Sequence, residues 1–216
     1  MDIKKEIDIV LSTYPLLNYN EDKNEFIGEL YITNSDSYEI RIDLTPYPRF
    51  FPDVYERDER IPIKAHRHIY TDTGSCCFTT RAKAQVLLNN KIKNLSFFIK
   101  DIVIPYFQNN SYFEINKEYK TDEHSHDSKG VVEGYRDILQ LTDDVLIAQL
   151  MYKRINGEKL TIRDNCYCGS RTALKKCTEG NHDKAYRNFK KIEKELLSLD
   201  LSHHFFPYLK SVGAIN

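Results

Sequence analysis

Four residues near the C-terminus are spaced for metal chemistry. Cys166, Cys168 and Cys177 form C-x-C-x8-C, and His182 follows five residues on. Three thiolates and one imidazole can complete a closed tetrahedral zinc site. Gly169 lets the chain turn sharply after the second thiol. A segment this small buries little core of its own, so a bound ion would supply much of its folding free energy. A closed site does no Lewis-acid chemistry, so the segment reads as a folding or docking element. Lys175, Lys176 and Lys184 beside it suit an acidic partner, or form an ordinary solvated surface. The competing reading is three buried or free cysteines without metal.

The second constellation is His66-Arg67-His68-Ile69-Tyr70-Thr71-Asp72-Thr73-Gly74-Ser75-Cys76-Cys77-Phe78. H-x-H places both imidazoles on one side of an extended strand, where they can ligate a metal. No acidic residues follow at a matching distance. The other reading makes a cysteine on this polar loop a nucleophile. Gly74 and Ser75 let the backbone approach an incoming carbonyl, and the histidines set the local field or move protons. Asp72 orients an incoming amine or simply forms the turn. His124 and His126 flank acidic residues further on and either shuttle protons or are solvated.

The chain has 216 residues, with 31 Lys and Arg against 32 Asp and Glu, a net charge of −1. That balance excludes a globally basic nucleic-acid coat and an acidic tail protein, and leaves a local basic patch open. No apolar run approaches the roughly 20 residues of a membrane span. Met1–Tyr14 mixes charges with its apolar residues, unlike a signal peptide. Five cysteines in two tight groups suit a reducing compartment. The expectation is a cytoplasmic protein without a membrane partner. The 26 Tyr and Phe without Trp suit core and interface more than base stacking.

The elements that must position these residues follow from hydrophobic period. Ile3, Ile7, Val10, Leu11 and Tyr14 share one helical face, ended by Pro15. Asn18–Asn24 reads as a polar turn. Glu25–Thr33 and Ser37–Thr45 read as a hairpin, the second strand alternating Tyr38, Ile40, Ile42 and Leu44 with polar residues. Pro46, Pro48 and Pro52 imply a sheet edge or an extended crossing. Ile61–His66 reads as a further short strand. A helix is predicted over Leu95–Phe107, bent at its end by Pro105, then a mobile loop over Thr121–Lys129. Helices follow over Val131–Leu141 and Asp143–Arg154, with Thr142 or Asp143 as cap, and over Lys184–Leu199. His203 and His204 read as packing for the terminal segment. The fold class is α+β: an antiparallel β-meander with flanking helices, then a helical segment with a small zinc-binding motif. The divisions expected are a core over 1–120, a loop and helical extension over 121–160, and the cysteine motif with the terminal helix over 161–216.

Both constellations resemble known families. Cys166-Tyr167-Cys168-Gly169-Ser170, then Lys175-Lys176-Cys177, is similar to the SEC-C zinc motif. That motif places His or Cys directly after the last cysteine. Here Thr178 stands there, and His182 is the candidate fourth ligand. Tyr47-Pro48-Arg49-Phe50-Phe51-Pro52, His66-Arg67-His68-Ile69-Tyr70 and Gly74-Ser75-Cys76-Cys77-Phe78 resemble, in order, three motifs of ubiquitin-conjugating (UBC) enzymes. The resemblance covers residues 1–120. It implies Cys77 as the thioester-forming residue, with a one-residue slip giving that place to Cys76. It puts His66 at the family's His, and His68 where the family has an Asn that supports attack on the thioester. There His68 can stabilise an oxyanion, act as a base, or pack.

A conjugating fold followed by a SEC-C-like motif resembles the stand-alone conjugating proteins of short type II CBASS antiphage operons. The resemblance implies a bacterial setting and a partner whose C-terminus is the acyl group. That partner is a cGAS-like nucleotidyltransferase or a ubiquitin-like protein. The chain carries no Walker A loop and no GxGxxG string, so activation would fall to another protein. The alternative is a non-catalytic binding or chaperone module. Direct nucleic-acid binding ranks last.

Overall fold

Asp2 opens the first helix, α1 (Ile3–Thr13), by accepting from the Lys5 amide, and Pro15 follows its end. Val10 on the expected face is fully buried, but Ile3 is exposed. Glu6 is buried instead. Its Oε2 accepts from the Tyr47 hydroxyl and the Leu95 amide, both at 2.9 Å, which offsets the desolvation of a carboxylate.

This computed structural model describes residues 2–120 and 125–215. The chain is α+β and divides into two units, Met1–Phe78 with Leu87–Glu123, and Thr79–Val86 with His124–Asn216. Part of the expected Thr121–Lys129 loop, including His124, lies outside the described residues. Among the described residues no helix is long and apolar enough to cross a membrane.

The first unit holds an antiparallel sheet of β1 (Leu17–Asn20), β2 (Glu25–Tyr31), β3 (Ser37–Asp43) and β4 (Asp53–Glu56), paired in chain order. The alternation in β3 is observed: Tyr38, Ile40 and Ile42 face the core. The expected Asn18–Asn24 turn begins instead with β1. Only Leu17 of that strand is buried, so an edge strand hides its period among polar residues. Gly28 lies opposite Leu17 at φ +143°, and a Cβ there would collide with the Leu16 carbonyl. The expected Ile61–His66 strand is absent among the described residues. The fourth strand is β4, where Val54 pairs with Ile42 and is fully buried. Four residues behind Pro52 are too few to show a two-residue period.

Helix α2 (Arg81–Asn90) has no large apolar stripe and was not expected; it buries Ala82, Ala84 and Gln85. The helix expected over Leu95–Phe107 runs as α3 (Leu95–Phe98), a π-turn (Ile99–Val103) and α4 (Ile104–Asn116). The helix does not end at Pro105. The widened turn just before it absorbs the missing amide and the ring's bulk, and the helix continues to Asn116.

The second unit packs α5 (Asp127–Leu139) and α6 (Asp144–Ile155) with α7 (His182–Phe189), α8 (Lys194–Asp200), a π-turn (Leu201–Phe205) and α9 (Phe206–Ser211). Asp143 caps α6 by accepting from the Leu146 amide. Tyr135, Leu139, Ile147, Met151, Phe189, Leu197 and Phe205 are fully buried. Tyr135 donates to Asp200 at 2.8 Å, and burial holds the Asp200 carboxyl above its ordinary range. The single helix expected over Lys184–Leu199 is broken. The amide of Glu193, just ahead of α8, donates to the buried Gln85 side chain at 3.0 Å. That long-range bond supplies a helix start that no local residue signals.

Candidate functional site

The cysteine pair of the first unit sits on a short hairpin. Ile69 and Cys76 form an antiparallel bridge. The Tyr70 amide donates to the Ser75 carbonyl at 2.9 Å, and the Gly74 amide to the Tyr70 carbonyl at 2.7 Å. Gly74 closes the turn at φ +75°, a value that favours glycine. The Cys76 amide donates to the Val54 carbonyl, so the hairpin continues the hydrogen bonding of β4. The Cys77 amide donates to the His68 carbonyl at 2.7 Å.

The two thiols have opposite environments. Cys76 is buried, and burial pushes its thiol up to about 12 despite a hydrogen bond with Tyr106. Cys77 is half-buried. The main chain thus brings His68 and Cys77 together. The half-buried His68 adopts a left-handed backbone, and its imidazole meets the Tyr119 ring edge-to-face at 5.5 Å. His66 is exposed on a short 3-10 turn (Ala65–Arg67), and its carbonyl accepts from the Tyr119 hydroxyl. Among the described residues no further ligating side chain joins His66 and His68, so the H-x-H metal reading finds no cluster there.

Sequence reasoning missed what holds this segment. Tyr106, Asn110 and Phe113 share one face of α4 at i, i+4 and i+7. Tyr106 donates to the His68 carbonyl at 2.8 Å. The buried Arg67 donates to Asn110 Oδ1 at 3.0 Å and to the Tyr119 hydroxyl at 3.3 Å. Its guanidinium lies 4.3 Å from the Phe113 ring centre, a cation–π contact. Arg67 is an anchor under the hairpin, and the aromatic-polar stripe on α4 was its sequence signal.

Comparison with protein-family models, with curated proteins and with solved structures finds no match.

In the second unit Cys166, Cys168, Cys177 and His182 come together, with their ligating atoms all within 4.8 Å of one another. The hairpin that presents them is pinned by the Asn165–Ala173 bridge. Cys168 and Cys177 sulfurs are 3.6 Å apart, and His182 Nδ1 lies 3.3 Å from Cys166 and 3.1 Å from Cys177. Ligands at about 2.0–2.3 Å from a tetrahedral ion stand roughly 3.5–3.8 Å from one another. The cluster is already near that spacing, and these four side chains can hold a metal ion.

Electrostatics agree with the fit. Burial pushes the Cys166 thiol up to about 12. Burial also acts upward on Cys177, but hydrogen bonds from Ser170 and the Glu179 amide lead the effects that outweigh it and bring that thiol to about 6. Crowded sulfurs resist ionising together unless a cation lies among them.

The neighbours of the cluster orient the ligands. His182 Nε2–H donates to the Gln140 carbonyl at 3.1 Å, which leaves Nδ1 to face the sulfurs. The Gln140 side chain accepts from the Asn181 amide at 2.8 Å, and Tyr167 donates to the Leu139 carbonyl at 2.6 Å. The C-terminal end of α5 is therefore the seat of the metal segment. A Cβ on Gly180 would stand 2.9 Å from His182 Nε2 and 3.2 Å from Gln140 Oε1. Gly180→Ala is expected to turn the imidazole and weaken metal binding roughly 10–100-fold, the usual cost of losing an orienting contact. Competition titration against a chromogenic chelator measures it; unchanged affinity would show that the Gln140 contact does not orient the ligand.

Proposed function

We propose that this chain is a ubiquitin-conjugating-enzyme-like acyl carrier. The observation that carries the reading is the hairpin after the four-stranded meander, which leaves Cys77 half-exposed and joined to His68 while Cys76 is buried. The order of elements supports it as well: helix, antiparallel meander, cysteine hairpin, helix. The Cys77 thiolate attacks the activated C-terminal carbonyl of a partner. An S–C bond forms, the carbonyl's bond to its activating group breaks, and that group leaves with the electron pair. An amine or water then attacks the thioester and releases the thiol. His68 supports the developing oxyanion or carries the proton. His66 shapes the loop, and Arg67 and Tyr106 position it.

The partner proposed is a cGAS-like nucleotidyltransferase or a ubiquitin-like protein, in bacterial antiphage (CBASS) defence. The metal proposed for Cys166, Cys168, Cys177 and His182 is zinc. Its thiolate-rich closed set suits a structural ion that fixes the segment's fold.

The test is intact mass of the protein co-expressed with its nucleotidyltransferase and activating partner, before and after added thiol and hydroxylamine. A wild-type adduct released by both reagents and absent from Cys77→Ala is expected. A wild-type chain without adduct, with Cys77→Ala still forming a stable complex, would make the chain a non-catalytic docking module.

A further inference from the structure

The near-zero total charge conceals a strong segregation. Residues 153–194, all in the second unit, carry twelve Lys and Arg against five Asp and Glu. That leaves nineteen against twenty-seven elsewhere in the chain. The excess is concentrated around the metal segment. Arg163, Arg171, Lys175, Lys176 and Lys184 are all exposed, and none pairs with a carboxylate among the described residues. Of the acidic neighbours, Asp164 accepts from the Thr161 amide and Asp183 pairs with Arg187, while Glu179 is exposed.

The backbone pushes like charges together. The Leu174 and Lys175 amides donate to the Asp164 and Ile162 carbonyls, on either side of Arg163. Arg163 therefore runs alongside Lys175, and like charges on facing stretches destabilise a pair. Arg171 closes the same hairpin in a left-handed backbone. A fold that holds cations adjacent without internal counter-ions is built to meet an external anion.

The composition of the surface says which anion. The buried centre of a protein interface is enriched in apolar and aromatic residues, whereas nucleic-acid interfaces are more polar and far more positive. Over residues 159–191 the one large exposed apolar side chain among the described residues is Ile162. Tyr167 and Tyr186 are buried, so no aromatic platform exists there for unstacked bases. We infer that the metal segment's outer surface binds the phosphate backbone of a nucleic-acid duplex without reading its sequence. This inference is independent of the chemistry at Cys77.

The experiment is fluorescence anisotropy of the metal-loaded full chain with a labelled 30-base-pair mixed-sequence DNA duplex, over about 50–200 mM KCl. Each phosphate contact contributes about −0.9 to the slope of log K against log salt. Five contacts give a slope near −4.5, so binding weakens several hundredfold across that range. Lys175→Gln with Lys176→Gln is expected to reduce the slope by roughly 2. Lys184→Gln, on the exposed side of α7, is expected to reduce it by roughly 1. Metal stoichiometry of each variant shows whether the segment remains folded. No binding at 50 mM KCl, or variants that retain metal and bind as wild type, would overturn the inference. Tighter binding to poly-glutamate would replace the duplex with an acidic protein partner, and tighter binding to the single strand would overturn the duplex assignment.

Discussion

Stripping the proposed metal from the purified protein is expected to melt residues 161–178 while the four-stranded sheet stays folded. Between residues 158 and 178 only Cys166, Tyr167 and Leu174 are buried, too little apolar surface to hold the segment closed. Structural zinc contributes about 10–16 kcal/mol of apparent binding free energy in comparable small segments at pH 7. Without an ion, sulfurs that stand 3.6 Å apart have no cation to offset their charge. The sheet has its own core in Phe26, Leu30, Tyr38, Ile40, Ile42 and Val54, all in the first unit. Hydrogen exchange before and after a strong chelator makes the comparison. Protection is expected to vanish over 161–178 and to persist in β2 and β3. Unchanged exchange over 161–178 after complete chelation would refute metal-dependent folding.

The second large effect is a selective alkylation. In the metal-loaded protein at pH 8, iodoacetamide is expected to label Cys77 and spare Cys76. The Cys76 thiol is pushed by burial from the ordinary 9 up to about 12, so its thiolate fraction is about a thousandfold lower than that of an ordinary thiol. It is also closed to reagent, whereas Cys77 is half-buried. Cys77→Ala should therefore abolish fast labelling, and Cys76→Ala should leave it nearly unchanged. Fast labelling that survives in Cys77→Ala would transfer the nucleophile's role to Cys76, the one-residue slip that the sequence left open.

What could be read from the sequence divides along a physical line. The alternation of Tyr38, Ile40 and Ile42, the cap at Asp143 and the C-x-C-x8-C spacing with His182 are local signals, and each corresponds to an observed element or cluster. The failures are long-range. β1 has one buried residue, β4 has four residues in all, and the break before α8 depends on Gln85, 108 positions away. Nothing local marks Glu6 as buried, because its partners Tyr47 and Leu95 are distant in the chain. No local signal marks Arg67 as an anchor, because its partners Asn110, Phe113 and Tyr119 lie more than forty residues on.

The doubly tied hairpin has one further consequence. The amides of Cys76 and Cys77 are committed to Val54 and His68, and the His68 carbonyl also takes the Tyr106 hydroxyl. The conformational entropy of presenting this thiol is therefore lost when the protein folds rather than when it reacts. In the proposed reaction, the ordering that remains belongs to the incoming tail. The rate of loading should then follow how well the partner stiffens its own last residues, more than any motion of the cysteine hairpin.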